Sequence, residues 1–500
     1  MNPPPSPQPS PLNPVARFRG RPARPDLSSA ERRVLVVAIA CLAFLPWAIG
    51  SMHVWSQITG AALALAAFLA ALLPEAGASE PPWPRLVRFP GFWAGLAVFA
   101  YVCVQALNPA WVYRASESLW WLEPVDYIAW LPAGMETPFD NSNQWRVLIV
   151  LGMVWTLVCA IWVGLRRRRP LQVLAIAMVA NACLLSIIGL AQYLSGADRI
   201  LWFVTSSNES FFGTFIYRNH AGPWLNLGVA LACGLAWSFA ARSTRRLDKS
   251  SPAPVLAFVA VIIGLGVVFS LSRGSIVVLA VFTLAMLAAL GLRALAHRGD
   301  RRAGVAVAIV ALVLVLFVAG GLQRLGVERV IDRFSRLVDR EDASAQLRAI
   351  ASQASGEMLA ERWQLGWGAG AFRYGFPIYQ MHHPEIYFPG GKNLSNRLHW
   401  EHAHNDWLQW PIEYGAAGMV LLAITPLFLL IRFVRAGGLT NPLALPVALG
   451  SLLVLGHAAA DFVFQNPAVL ATWAAMLVMA TRWAELDGAP ARDHERVPGL

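Results

Sequence analysis

A run of ten residues near the end of a long polar segment carries groups that could move a proton at neutral pH. It reads Trp400-Glu401-His402-Ala403-His404-Asn405-Asp406-Trp407-Leu408-Gln409. Two imidazoles, a carboxamide and two carboxylates lie within six of these residues. Imidazole has an ordinary pKa of about 6.5, which suits a general acid or base. Asn405 or Asp406 could equally cap the helix that follows, and such a cap would also fix His404. We interpret this run as the place at which chemistry occurs.

The rest of the chain has the composition of a membrane protein. Of its 500 residues, 57% are hydrophobic and 14% are charged, and the mean hydropathy is +0.51. An ordinary soluble protein is less apolar and carries more charge. The net charge of +11 comes from arginines clustered between apolar runs, where they act as orientation signals, so no nucleic-acid partner is expected. The five cysteines all lie in apolar runs and indicate neither disulfides nor a thiolate metal site.

Twelve apolar runs have the roughly 20 residues that a helix needs to cross a bilayer. They lie near 33–51, 54–73, 91–107, 145–165, 171–194, 219–240, 254–272, 275–296, 303–320, 413–434, 442–460 and 467–483. If the N-terminus is cytoplasmic, every short basic cluster falls on the cytoplasmic side, as the positive-inside rule requires. The sequence therefore predicts an all-α polytopic membrane protein with about twelve transmembrane helices and one large periplasmic, partly helical loop between helices 9 and 10.

This topology divides the chain into five parts. They are a disordered basic cytoplasmic tail (1–32), transmembrane helices 1 to 9 (33–320), a periplasmic loop that forms a catalytic lid (321–412), transmembrane helices 10 to 12 (413–484) and a cytoplasmic tail (485–500). The first tail is rich in proline and arginine and has no periodic apolar pattern, which is typical of disorder.

The periplasmic loop contains one clear helical pattern and one glycine-rich segment. Residues 343–362 predict a helix on the membrane surface, and its apolar stripe consists of Leu347, Ile350, Ala354 and Met358. The segment from Gly366 to Phe372 carries three glycines. We interpret it as a turn under a packed lid. The alternative is a phosphate cradle, although the pattern is neither a Walker nor a dinucleotide fingerprint.

Two arginines are candidates for binding an anion. Arg273 lies in a short break between two apolar runs, where a guanidinium facing lipid would cost roughly 2.5 to 3.5 kcal/mol. It therefore faces a polar cavity or an anion, unless it snorkels to the headgroups. Arg348, on the predicted loop helix, offers the same planar fork that suits phosphate oxygens. Asp461 ends an apolar run on the same side, where it would orient an imidazolium, pair with an arginine or simply end a helix.

In this order the motifs resemble the O-antigen ligase superfamily, which comprises bacterial lipid-linked glycan ligases and Wzy-type polysaccharide polymerases. The resemblance extends over roughly residues 200–480, and the first 200 residues match in topology only. It rests on Gly213-Thr214-Phe215, Asn219-His220-Ala221-Gly222, Ser272-Arg273-Gly274, the arginine-bearing loop helix, Gly366 to Phe372 and Ala403-His404-Asn405-Asp406-Trp407-Leu408-Gln409 with Glu413 and Gly415.

The resemblance implies a multi-pass enzyme of the bacterial inner membrane whose active site faces the periplasm. It would move an undecaprenyl-diphosphate-linked glycan onto the hydroxyl of a glycan or lipid-linked acceptor, with inversion and without a metal or other cofactor. By the same resemblance, Arg273 and Arg348 would bind the diphosphate. His404 would take the acceptor proton, and Asp461 would orient His404. The expected supporting residues are Arg218, His220, His402 and Asn405.

Three alternatives remain open at this point. A Wzy-type O-antigen or exopolysaccharide polymerase often carries a periplasmic arginine with a glycine eleven residues later, and no arginine predicted to be periplasmic has one here, which slightly favours a ligase. A metal-dependent membrane hydrolase is motivated by five histidines within 23 residues, His382, His383, His399, His402 and His404, although their spacing matches no defined zinc motif. A transporter of lipid-linked oligosaccharides would need ionisable residues near helix centres, and the apolar runs carry almost none.

Overall fold

A computed structural model describes residues 27–74, 81–117, 119–139, 142–246, 250–296, 343–388 and 398–488. In these parts of the chain the structure is a bundle of helices with a small sheet and short helices at one end. The helices are α1 (Ser29–Trp47), α2 (Val54–Leu72), α3 (Trp83–Val87), α4 (Pro90–Leu107), α5 (Gln144–Gly164), α6 (Arg168–Leu194), α7 (Arg218–Arg246), α8 (Ala253–Phe269), α9 (Arg273–Ala296), α10 (Ala343–Glu361), α11 (Phe372–Gln380), α12 (Pro384–Tyr387), α13 (Asp406–Arg435), α14 (Ala444–His457) and α15 (Pro467–Gly488).

Apolar helices of membrane-spanning length dominate the described structure. By length and composition seven of them could cross a bilayer, namely α2, α4, α5, α6, α7, α9 and α13, and α8 and α14 are shorter apolar helices. Eleven of the twelve predicted runs coincide with a helix, and the remaining run, 303–320, lies outside the described residues. The predicted fold class, an all-α polytopic membrane protein, is confirmed. The total of twelve spans stays a prediction.

Charged side chains join several helix ends on one side of the bundle. Glu31 is only 2% exposed, and its carboxylate accepts the backbone N–H of Arg167 at 3.1 Å and pairs with the same residue's guanidinium. Arg168 pairs with Asp487 at 2.6 Å, which ties the start of α6 to the end of α15. A buried carboxylate is tolerated only with such partners. These ends of α1, α6 and α15 therefore meet on the same side of the bundle.

The opposite end carries a small module that we call the cap, formed by strands β1 (Pro109–Ala115), β2 (Trp120–Pro124) and β3 (Gly134–Glu136) with α10, α11 and α12. Strand β1 pairs antiparallel with β2 and parallel with β3. The predicted loop helix is confirmed as α10, and Ala354 and Met358 of its apolar stripe are fully buried in the core of the cap. The sheet was not predicted, because residues 108–144 lie between two predicted spans and no strand was expected there.

The glycine-rich segment docks the cap onto a break in α13. Gly415 has φ 64° and ψ 179°, which interrupts the helix. The backbone N–H of Trp367 donates to Ile412 O at 2.8 Å, and that of Gly368 donates to Glu413 O at 3.0 Å. The carbonyls freed by the break are thus satisfied by the cap, as buried backbone groups must be. The packed-turn interpretation of this segment agrees with the structure.

Gly366→Ala is expected to destabilise the protein. Gly366 has φ 79°, and an added Cβ would lie 2.5 Å from Glu413 O. A left-handed residue with a Cβ costs about 1 to 2 kcal/mol, and the backbone clash adds to that cost. Gly356→Ala is the matched control, since Gly356 lies inside α10 with open space at its Cβ position. Thermal unfolding of the purified protein should show a lower Tm for Gly366→Ala and an unchanged or higher Tm for the control, and equal Tm values would contradict the docking role.

Candidate active site

The predicted base and its orienting carboxylate meet beside the cap. His404 Nδ1 lies 3.3 Å from Asp461 Oδ1. The His404 side chain is 23% exposed, whereas that of Asp461 is 4% exposed. His404 also has a left-handed φ of 50°, a conformation that costs a non-glycine residue energy and that clusters at functional sites. The contact with Asp461 occupies Nδ1, so Nε2 is the nitrogen available to an incoming group.

Asp461 is held by donors on both of its oxygens. The backbone N–H of Phe462 donates to Oδ1 at 2.9 Å, and Asn219 Nδ2 donates to Oδ2 at 2.6 Å. Asn219 Nδ2 also donates to the hydroxyl of Tyr217 at 2.8 Å. These contacts fix the carboxylate, and the carboxylate in turn fixes the ring of His404.

Arginines lie within electrostatic reach of this network. Burial raises the pKa of Asp461, but the hydrogen bond from His404 and the charge of Arg348 together lower it by more. The pKa therefore falls to about 2. Burial and the charge of Asp461 raise the pKa of Tyr217 to about 12, against the opposing charges of Arg348 and Arg218. Asp461 is therefore an ionised carboxylate and Tyr217 a neutral phenol at physiological pH. The structure thus brings Arg218 and Arg348 to the site.

Several aromatic rings of the site pack against the ring of Phe462. Tyr217 stacks on it at 5.2 Å with 11° between the planes, and His402 stacks on it at 4.5 Å with 15°. His404 and His220 meet the same ring edge to face, at 4.7 Å and 4.9 Å between centroids. Three of the histidines in question therefore share one aromatic support, which restricts their rotation.

Arg273 is the first residue of α9, at the same end of the bundle. The next residue, Gly274, packs so closely on His457 that an added Cβ would lie 2.2 Å from His457 Nε2. His457 is itself within electrostatic reach of Asp461 and Arg348. The start of α9 therefore packs against the end of α14, just before the turn that carries Asp461.

The two polar residues after His404 have structural partners. Asn405 is the N-cap of α13, and its side chain accepts the backbone N–H of Trp407 at 3.0 Å. Asp406 is buried and accepts the backbone N–H of Phe464 at 2.7 Å and the side-chain amide of Gln465 at 3.2 Å. The prediction that one of these residues caps the helix is confirmed for Asn405. This N-cap fixes His404 at the start of α13.

The five histidines that suggested a metal site are divided between different partners. His383 Nε2 and His382 Nδ1 lie 2.9 Å and 3.7 Å from the carboxylate of Glu357 in the cap, while His404 pairs with Asp461. In the part of the chain that the structure describes, no group of three or more His, Cys, Asp or Glu side chains is arranged to hold a metal ion.

A comparison with protein families gave a match to part of the chain. Residues 258–423 match the family model Wzy_C, described as O-antigen ligase. This segment of the chain is similar to the O-antigen ligase family. A comparison with curated proteins gave no match. The family match supports ligase-like or polymerase activity on lipid-linked glycans in general, carried out by a multi-pass membrane protein.

The matched segment contains Arg273, Arg348 and His404 but ends before Asp461. The place of Asp461 in the site therefore rests on its contacts. Tyr217 and Phe462 were not predicted to be site residues, although each is adjacent in sequence to a candidate residue, Arg218 or Asp461. An aromatic side chain next to a candidate charged residue was the available signal.

Proposed function

We propose that the protein is an inner-membrane glycosyltransferase of the O-antigen ligase type. It moves a glycan from undecaprenyl diphosphate to an acceptor hydroxyl on the periplasmic face, with inversion and without a metal ion. The observation that carries the proposal is the contact of His404 Nδ1 with the buried, ionised Asp461 at 3.3 Å, within electrostatic reach of Arg348. This contact leaves one basic nitrogen to accept a proton beside a cation that suits a diphosphate.

In the proposed reaction, His404 Nε2 takes the proton of the acceptor hydroxyl as its oxygen attacks the anomeric carbon of the donor glycan. The new carbon–oxygen bond forms as the bond from that carbon to the diphosphate breaks. The electron pair of the broken bond passes to the diphosphate oxygen, so undecaprenyl diphosphate leaves. Attack from the side opposite the leaving group inverts the anomeric centre. The proton remains on His404, whose cationic form is stabilised by Asp461.

The arginines would bind the diphosphate and stabilise the negative charge that grows on it. Charge-assisted bonds from a guanidinium fork to phosphate oxygens are strong, and they act most where charge develops in the transition state. Arg273 at the start of α9 and Arg348 on α10 would approach the diphosphate from the bundle and from the cap. Arg218 lies near the same phenol as Arg348 and would add a third positive charge.

Reconstitution tests the proposed function. The purified protein in lipid vesicles, supplied with an undecaprenyl-diphosphate-linked glycan and an acceptor glycolipid, should release undecaprenyl diphosphate and form the glycosylated acceptor. Addition of one glycan per acceptor supports a ligase, and stepwise elongation of the glycan supports a polymerase. Deletion of the gene in its host should shorten a surface glycan and cause the lipid-linked donor to accumulate. Vesicles that form no transfer product with any lipid-linked donor of the host would contradict the proposal.

Asp461→Asn is expected to lower transfer on the order of 100-fold, which is within the range typical of general base catalysis. The carboxamide can still accept the N–H of His404, but it cannot stabilise the imidazolium that forms. Asp198→Asn makes the same substitution at an exposed aspartate. It is the matched control and should transfer at the wild-type rate. Equal activity of both variants would remove Asp461 from the mechanism.

The same carboxylate should make stability depend on pH. Its pKa in the folded protein is about 2, below the ordinary value of 3.8. A depressed pKa means that the group stabilises the fold above about pH 4 and loses this contribution as the pH falls towards 2. The Tm of the wild type should therefore fall more steeply than that of Asp461→Asn across this interval, as measured by thermal unfolding in detergent. Parallel curves would contradict the depressed pKa.

A further inference from the structure

Gln409 fixes the hydrogen-bonding state of the histidine next to the proposed base. Its Oε1 accepts the backbone N–H of Ala403 at 3.1 Å. Its Nε2 lies 3.0 Å from Glu413 Oε1 and 3.2 Å from His402 Nδ1. Turning the amide over would set its NH2 group against the backbone N–H of Ala403, and two donors cannot bond to each other. The N–H of Ala403 therefore fixes the orientation of the Gln409 amide. Gln409 therefore donates to His402 Nδ1.

A neutral imidazole that accepts a hydrogen bond at Nδ1 carries its proton on Nε2. Burial lowers the pKa of His402, and the neighbouring His220 and His404 lower it further, so the ring is neutral at physiological pH. Among the described residues, none forms a hydrogen bond with His402 Nε2. This atom is also not fully buried. His402 thus presents an open N–H.

His404 has the opposite arrangement. Its Nδ1 faces the carboxylate of Asp461, and an ionised carboxylate can only accept a hydrogen bond. Nδ1 must therefore carry the proton, and Nε2 keeps its lone pair. Both rings lie against Phe462, one stacked and one edge to face. The site therefore pairs one imidazole that accepts a proton with a second imidazole that donates a hydrogen bond.

We propose that His402 is a substrate-binding residue whose Nε2–H donates to a glycan oxygen beside the base His404. This inference rests on the proposed function. A neutral donor that lies flat on a phenyl ring suits an uncharged sugar oxygen, whereas the neighbouring guanidinium groups suit the diphosphate. Gln409 is the positioning residue, because it sets the tautomer of His402 without reaching the substrate.

The cap is connected to this donor through Glu413. The backbone amides of Gly370 and Phe372 interact electrostatically with the Glu413 carboxylate, which in turn accepts from Gln409. The same glycine-rich segment docks onto the break in α13. A correctly docked cap therefore orients Glu413, then Gln409, and through Gln409 the ring of His402.

Two substitutions at His402 separate hydrogen bonding from packing. In His402→Gln, the side-chain NH2 reaches close to the position of Nε2, so a donor remains while the ring is lost. In His402→Phe, the ring can still stack on Phe462, but the donor is gone. We expect His402→Gln to transfer glycan within about tenfold of the wild type and His402→Phe to fall roughly 10- to 100-fold, the effect of one lost bond in a transition state. The reverse order would mean that the ring serves packing only and would overturn the proposal.

The loss in His402→Phe should appear in the interaction with the glycan. Binding of undecaprenyl diphosphate without a sugar, measured by calorimetry in detergent, should be unchanged, while the KM for the glycan-bearing donor or for the acceptor should rise. Weaker binding of the sugar-free lipid would mean that the oxygen bound by His402 belongs to the diphosphate, which would overturn the proposed contact with the glycan. His382→Gln, at an exposed histidine of the cap, is the control and should match the wild type in both measurements.

The tautomers can be measured without any activity. Nitrogen NMR of the protein labelled at histidine, with His402→Gln and His404→Asn used for assignment, should show the proton on Nε2 of His402 and on Nδ1 of His404. Gln409→Glu should move the proton of His402 to Nδ1, since a carboxylate accepts where the amide donates, and transfer should fall as in His402→Phe. A wild-type His402 with its proton on Nδ1 would overturn the inference even if transfer were confirmed. An inactive wild type with the expected tautomers would count against the proposed function instead.

Discussion

His404→Ala is expected to abolish glycan transfer while the protein still inserts and folds. Removal of a positioned general base typically costs 10²- to 10⁴-fold in rate. Asp461 occupies Nδ1 of His404, which leaves Nε2 to act as the proposed base. The variant should retain the donor lipid, because the arginines are intact. In reconstituted vesicles, transfer should fall to the background level, and in the host the lipid-linked donor should accumulate as it does when the gene is deleted.

The backbone at His404 requires a second variant. Its left-handed φ of 50° costs alanine more than asparagine, whose short polar side chain tolerates this conformation. His404→Asn therefore separates loss of the base from backbone strain and should be as inactive as His404→Ala, with a Tm close to that of the wild type. His383→Ala, which changes a histidine paired with Glu357 in the cap, serves as the control. Transfer by His404→Asn at more than a tenth of the wild-type rate would contradict its role as the base.

The spans of this fold were predictable because hydropathy is a local property of the sequence. Each apolar run of sufficient length is a helix where the structure describes it. The break at Gly415 was not predicted, since a glycine inside an apolar run is usually tolerated within a helix. What selects the break is the cap, whose backbone amides bind the carbonyls that it frees. That partner comes from another part of the chain and leaves no local signal.

The sheet of the cap was missed for a related reason. Its first strand, Pro109–Ala115, contains Trp111, Val112 and Tyr113, residue types that favour a strand. However, β1 pairs in parallel with β3, which follows β2 in the chain, and Trp111 of β1 stacks on Trp367 of the glycine-rich segment at 4.9 Å. A local pattern of seven residues between two apolar runs does not determine such a pairing.

The site was predictable in its residue types and not in its contacts. His404 and Asp461 were singled out for their chemistry, but they are 57 positions apart in the sequence. Asn219 precedes Asp461 by 242 positions. Only the packing of α7 and α13 beside the turn between α14 and α15 brings the three together. The tautomer of His402 likewise follows from Gln409, whose amide carries no recognisable signal in the sequence.

Arg273→Lys is expected to impair transfer although it keeps the positive charge. A guanidinium can bind two phosphate oxygens at once through its planar fork, whereas an ammonium is a single compact charge. Arg273 also begins α9, and the positive end of a helix dipole disfavours a cation by about 0.3 to 1 kcal/mol while it favours an anion. A diphosphate bound here, as proposed above, would offset the unfavourable placement of the cation.

We expect Arg273→Lys to lower kcat/KM for the lipid-linked donor by about 10- to 100-fold, the cost of replacing a charge-assisted bidentate contact. Binding of undecaprenyl diphosphate should weaken in parallel, and the Tm should be unchanged because the charge and the packing of Gly274 on His457 are preserved. Arg293→Lys, in the last turn of the same helix, is the control and should behave as the wild type, since that end of α9 lies away from the site. A silent Arg273→Lys, with wild-type binding of undecaprenyl diphosphate, would show that α9 does not hold the leaving group and would leave Arg348 and Arg218 as the cations for that role.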